Sequence, residues 1–123
     1  MRKRAEKRLS QTKTIYEMQA EICSALAHPI RIQVLEILSN GEKTVGDLLE
    51  VLQVPKANLS QHLSVLKDVG VIQTRKEGLY HYMSLSIPKI KDACSIIRTV
   101  LIEKVANEEK KNIEIIRELK AQR

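Results

Sequence analysis

The chain has 123 residues, enough for one domain of ordinary size around a single hydrophobic core. Its apolar share is 43% against an aromatic share of only 2%, so the core has to be built from Ile, Leu and Val, a composition that helices accommodate easily. Twenty-one Lys and Arg against fifteen Asp and Glu leave a formal charge of +6, which favours a polyanionic partner. No apolar run approaches membrane-spanning length, and the charged leader with Arg2, Lys3, Arg4, Lys7 and Arg8 lacks the apolar segment of a secretory signal. No membrane partner is expected, and two well-separated cysteines without a signal fit the reducing cytoplasm.

A first helix is predicted from Ser10 to Ala27, where Ile15, Met18, Ile22 and Ala25 or Leu26 recur at three- and four-residue intervals. His28-Pro29 interrupts it, because the residue before a proline is pushed out of the helical region while proline suits a new first turn; His28 is expected to cap the helix that follows. That second helix carries Ile30, Ile32, Val34, Leu35, Ile37 and Leu38, is expected to be buried, and is closed by Asn40-Gly41, residues that tolerate left-handed φ. Thr44 and Asp47 have the spacing of a capping box for a third helix with Val45, Leu48, Leu49 and Leu52 on its inner face. A tight turn through Gln53-Val54-Pro55 leads into a fourth helix with Leu59, Leu63 and Leu66 at i, i+4 and i+7.

Gly70 ends the fourth helix. Two strands, Val71 to Arg75 and Leu79 to Leu85, flank Lys76-Glu77-Gly78 and predict a hairpin with a basic tip. Pro88 opens a last helix whose stripe of Ile90, Ala93, Cys94, Ile97, Leu101 and Val105 is interrupted by the polar block from Glu108 to Lys111 and resumes at Ile115, Ile116 and Leu119. The expected organisation is a flexible basic leader over 1–9, a winged helix-turn-helix domain over 10–105, and an extension of the last helix over 106–123. The fold class is mainly α with a small β-hairpin.

Two short helices joined by a tight turn, the second with a small polar outer face and a hairpin directly after it, have the order of a winged helix-turn-helix. The B-DNA major groove admits one helix, whose outward side chains have to be short and able to donate and accept hydrogen bonds. Lys56, Ala57, Asn58, Ser60, Gln61, His62 and Ser64 are the candidate reading face, with Gln61 and Asn58 suited to adenine and Lys56 to phosphate or guanine. Arg75 and Lys76 are candidates for the duplex backbone or a neighbouring minor groove. His62 is expected either to brace the fold or to touch phosphate.

Three blocks carry a resemblance to a known family: Ala25-Leu26-Ala27-His28-Pro29-Ile30-Arg31-Ile32-Gln33-Val34-Leu35; Ser60-Gln61-His62-Leu63-Ser64-Val65-Leu66 with Gly70-Val71-Ile72; and Thr74-Arg75-Lys76-Glu77-Gly78 before Tyr82. Over Ala25 to about Leu85 the chain resembles the ArsR/SmtB repressors. The resemblance implies a homodimer joined by the first and last helices, binding a two-fold double-stranded DNA operator and releasing it to an inducer. Metal-sensing members carry a Cys-x-Cys pair where this chain has Thr44-Val45-Gly46-Asp47, or Asp and His on the last helix, where this chain has no histidine beyond His81. No metal, no cofactor and no particular inducer is therefore expected.

Cys23 and Cys94 have two readings, small hydrophobes on apolar stripes or a thiol sensor at the dimer-forming helices. The expected function is a sequence-specific DNA-binding repressor; the alternative is a winged-helix protein-interaction module without DNA binding. With no phosphate loop, ligand cluster or nucleophile arrangement of recognisable spacing, no enzyme activity is expected.

Overall fold

The computed structural model describes residues 12–121, so the basic leader and the expected start at Ser10 lie outside the described residues. The order of elements is α1 (Ile15–Ala25), α2 (Pro29–Leu38), β1 (Lys43–Thr44), α3 (Val45–Leu52), α4 (Lys56–Asp68), β2 (Ile72–Glu77), β3 (Tyr80–Leu85) and α5 (Ile90–Ala121). The chain divides into two compact units, one ending at Pro88 and one beginning at Lys89.

Local chemistry sets the helix starts. α1 begins only after Thr14, whose hydroxyl accepts from the Glu17 N–H at 3.1 Å while the Glu17 carboxylate accepts from the Thr14 N–H. This capping box, rather than the apolar periodicity, fixes the start of α1 at Ile15. His28 caps α2 as expected, its Nδ1 accepting from the Ile30 N–H at 3.1 Å with Pro29 at the first helical position. Thr44 and Asp47 form the expected box on α3, each accepting from the other's backbone N–H at 3.1 Å. The Thr44 N–H and hydroxyl hold the Asp47 carboxyl below its ordinary value.

Glycine closes two helices. Gly70, with φ +81, donates to the Lys67 carbonyl, and Val71 donates to the Leu66 carbonyl at 3.2 Å. This is a Schellman end, with buried Val71 and Leu66 as its apolar pair. After α2, left-handed φ falls at Gly41 alone, not at Asn40.

The core of the first unit gathers Val34, Leu35 and Leu38 from α2, Leu48 from α3, Leu59, Leu63 and Leu66 from α4, Val71 just before β2, and Ile72 and Met83 from the sheet, all buried. α2 is buried on this face only; Ile32, expected inside, is exposed. The sheet has three antiparallel strands in the order β1-β3-β2, so the hairpin gains a short third strand through Lys43 opposite Met83 and Thr44 opposite Tyr82. The hairpin is also longer than expected. Lys76 and Glu77 belong to β2, opposite His81 and Tyr80, and the loop is Gly78-Leu79. Gly78 has φ +60, the sign that mirror-image two-residue turns need at their first position. The expected basic tip is therefore corrected to an apolar one, with Leu79 95% exposed.

The second unit is one helix. α5 runs unbroken for 32 residues, about 48 Å at 1.5 Å per residue. It begins at Ile90 rather than Pro88, and it passes through the polar block because Glu and Lys are good helix formers; Lys104 and Glu108 pair there across one turn at 3.6 Å. None of the described helices is long and apolar enough to cross a membrane.

Candidate nucleic-acid interface

The turn between α3 and α4 is made by Gln53 in the left-handed region, φ 52 and ψ 44, its N–H donating to the Leu49 carbonyl at 2.9 Å. A side chain with a Cβ adopts this conformation only at some cost, and sequence reading gave no sign of it at Gln53. Pro55 then precedes α4, and no side chain caps the first-turn N–H groups. Those amides stay open to solvent or to an anion, at the end of the helix where the backbone dipole is positive.

With Leu59, Leu63 and Leu66 buried, a turn of about 100° per residue places Ala57, Gln61 and Ser64 opposite them, with Asn58 and Ser60 on the flanks. Lys56, Ala57, Asn58, Ser60, Gln61 and Ser64 are all exposed; all but Lys56 share the outer side of the helix, and Lys56 stands at its first turn. His62 departs from this group. It is half-buried, and its ring lies 4.2 Å from that of His28 at an interplanar angle of 43°. Burial, then His28 and Arg31, push its pKa below the usual 6.5. Its ring is engaged with His28 rather than set on the exposed face with the others.

The wing separates its two cations. Arg75 and Lys76 are consecutive strand residues and project from opposite faces of the ribbon. Arg75 donates to Glu42 at 2.6 Å and to Glu77 at 2.5 Å, and its guanidinium lies 4.6 Å from the centre of the Tyr82 ring directly across the ladder. Glu42, then Glu77, raise its pKa further above an already high value. Two carboxylates around one guanidinium make Arg75 a clamp between the wing and the segment before β1. Lys76 shares its face with His81 and is exposed. Glu42 was missed because its role depends on β1 pairing with β3, far along the chain.

Neither cysteine forms a disulfide; Cys23 is exposed on α1 and Cys94 half-buried on α5. Burial of Cys23 in the core is therefore not observed. Among the described residues no group of three or more His, Cys, Asp or Glu is placed to hold a metal ion.

A helix pair with a tight turn, an outward polar second helix and a β-ribbon define the class: this is a winged helix-turn-helix, a DNA-binding fold. The pattern describing bacterial regulatory proteins of the arsR family matches residues 28–74. The HTH-type transcriptional regulator Rv0081 of Mycobacterium tuberculosis is 36% identical over 92 residues, 74% of this chain and 81% of that protein. Its crystal structure superposes with a TM-score of 0.72 at 34% identity, covering 79% of this chain and 98% of that one. The transcriptional repressor SdpR of Bacillus subtilis is 32% identical over 72 residues, 58% of this chain and 80% of the repressor. A homodimeric winged helix-turn-helix DNA-binding domain of Mycobacterium bovis, solved in solution, has a TM-score of 0.66 at 25% identity, covering 72% of this chain and 82% of that domain. The chain belongs to the arsR family of bacterial transcriptional regulators.

Proposed function

We propose that the protein is a transcriptional repressor that binds a two-fold operator as a homodimer, with α4 in the major groove and Lys76 on the backbone. The observation that carries this reading is the outer face of α4, where Ala57, Ser60, Gln61 and Ser64 are short, exposed and backed by buried leucines below an uncapped N-terminus. The repressor SdpR and the homodimeric M. bovis domain support both halves of it. Apolar surface points the same way: Ile15, Met18 and Ile22 on α1 and Ile97, Leu101 and Val105 on α5 are exposed in the single chain. A second copy covering such faces would gain about 1.5–3 kcal/mol for each large aliphatic side chain fully buried. Residues 106–121 extend the pairing helix in this reading, and the last two of the expected extension over 106–123 lie outside the described residues. A protein-docking module without DNA binding has less support, because it leaves the polar outer face of α4 unused.

A mobility-shift assay with the duplex upstream of the protein's own gene, at two salt concentrations, tests the reading. The complex forms, weakens steeply with salt, and has the mass of a dimer on DNA by light scattering. No shift at low salt, or a monomer on the duplex, contradicts it.

Cys23 and Cys94 remain the candidate thiol switch. Mild oxidation or persulfide treatment then releases DNA from the wild type and not from Cys23→Ser or Cys94→Ser, whereas equal release in all three removes the switch.

A further inference from the structure

The contact between α2 and α4 holds three nitrogen-rich side chains that the reading face does not use. His28 spends its Nδ1 lone pair on the Ile30 N–H, so the ring serves as a cap only while that nitrogen carries no proton. His62, from the reading helix, stacks on it at 4.2 Å. Arg31, one turn further along α2, adds a permanent charge, and its Nε–H is buried without a hydrogen-bond acceptor.

We infer that the His28–His62 pair is an acid-sensitive joint whose protonation loosens α4 from α2 and weakens DNA binding as the pH falls below neutral. The inference rests on the DNA-binding reading of α4. A proton on either imidazole places a second cation beside Arg31 at a partly buried contact. A proton on His28 Nδ1 also turns the cap's acceptor into a donor facing another donor, the Ile30 N–H.

The carboxylates around the joint lie in the groove beside Arg31. From α1, Glu17 and Glu21 line the groove that Arg31 enters, but Glu17 is engaged by Thr14 and Glu21 by Lys13. From α4 itself, Asp68 lines the same groove. From β2, the charged residues Arg75, Lys76 and Glu77 are exposed, with Arg75 and Glu77 paired to each other. Neither imidazole has a carboxylate partner among the described residues.

Because the native pKa of His62 lies below its unfolded value, the unfolded chain takes up this proton first. Stability is full above the unfolded value near 6.5 and declines as the pH falls through it toward the native one. His62 lies between Gln61 and Leu63, so a shift at the joint moves the reading face directly.

The sign of the effect separates this device from simple charge. Acidification makes any basic protein more positive and so strengthens its hold on phosphate. The joint predicts the opposite.

The test is fluorescence anisotropy with the upstream duplex at constant salt between about pH 7.5 and about pH 5.5, with thermal melts of the free protein over the same range. Two variants are compared with the wild type: His62→Phe, which keeps a ring without a proton site, and His28→Asn, which keeps an N-cap acceptor at every pH. Wild-type affinity falls about tenfold or more on acidification, while both variants hold steady or tighten. Wild-type affinity that holds or rises, or a fall that persists in both variants, overturns the joint. If the wild type binds no DNA even at the higher pH, the DNA-binding reading fails and the melts decide: acid destabilisation lost in both variants supports the joint, and destabilisation kept in both refutes it.

Discussion

Arg75 and Lys76 show how neighbouring cations can do different work. Their charge and position before a glycine made both candidates for DNA, and nothing in the linear order separates them. The pleat does: Arg75 faces Tyr82 and two carboxylates, while Lys76 faces His81 on the other side. A phosphate contact releases condensed counterions, and its loss lowers the slope of log affinity against log salt by about one. Lys76→Ala should show that loss in anisotropy titrations across a salt series. Arg75→Ala should leave the slope unchanged. The reverse result would put the guanidinium on the duplex backbone after all.

At the scale of elements, legibility followed the range of the interaction. His28-Pro29 and Thr44 with Asp47 were readable because a cap is settled within three residues, and the buried leucines of α4 because they share one helix face. β1 was not readable, since two residues carry no periodicity and its partner β3 lies some forty residues away. The hairpin loop was misplaced for a related reason: Lys76 and Glu77 are polar like turn residues, yet they continue the ladder until Gly78 supplies the positive φ. A Cβ at Gly78 would meet nothing within 4 Å, so substitution there costs only backbone strain. Gly78→Val should therefore lower stability by about 1–2 kcal/mol, read as a shift in urea midpoint with an unchanged m-value. A loss of more than about 4 kcal/mol would mean that the turn carries packing not visible in its surroundings.

For the whole molecule, the charge of +6 and the small polar face of α4 point to the same partner from different directions. Charge supplies affinity that any duplex satisfies; only the reading face can choose among sequences. The fold and the location of that face were legible because helix, turn, helix and ribbon follow one another in the chain. The inward turn of His62 and the Glu42 clamp were not, because both arise from contacts between elements distant in sequence. The most direct measurement is the affinity of wild type and Gln61→Ala for the upstream duplex and for an unrelated duplex of equal length. The wild type should prefer the upstream duplex, and Gln61→Ala should give up about 1–3 kcal/mol of that preference while keeping its affinity for the unrelated one. Equal affinity of the wild type for both duplexes, or a preference that Gln61→Ala leaves intact, would contradict the assignment of α4 as the element that reads DNA.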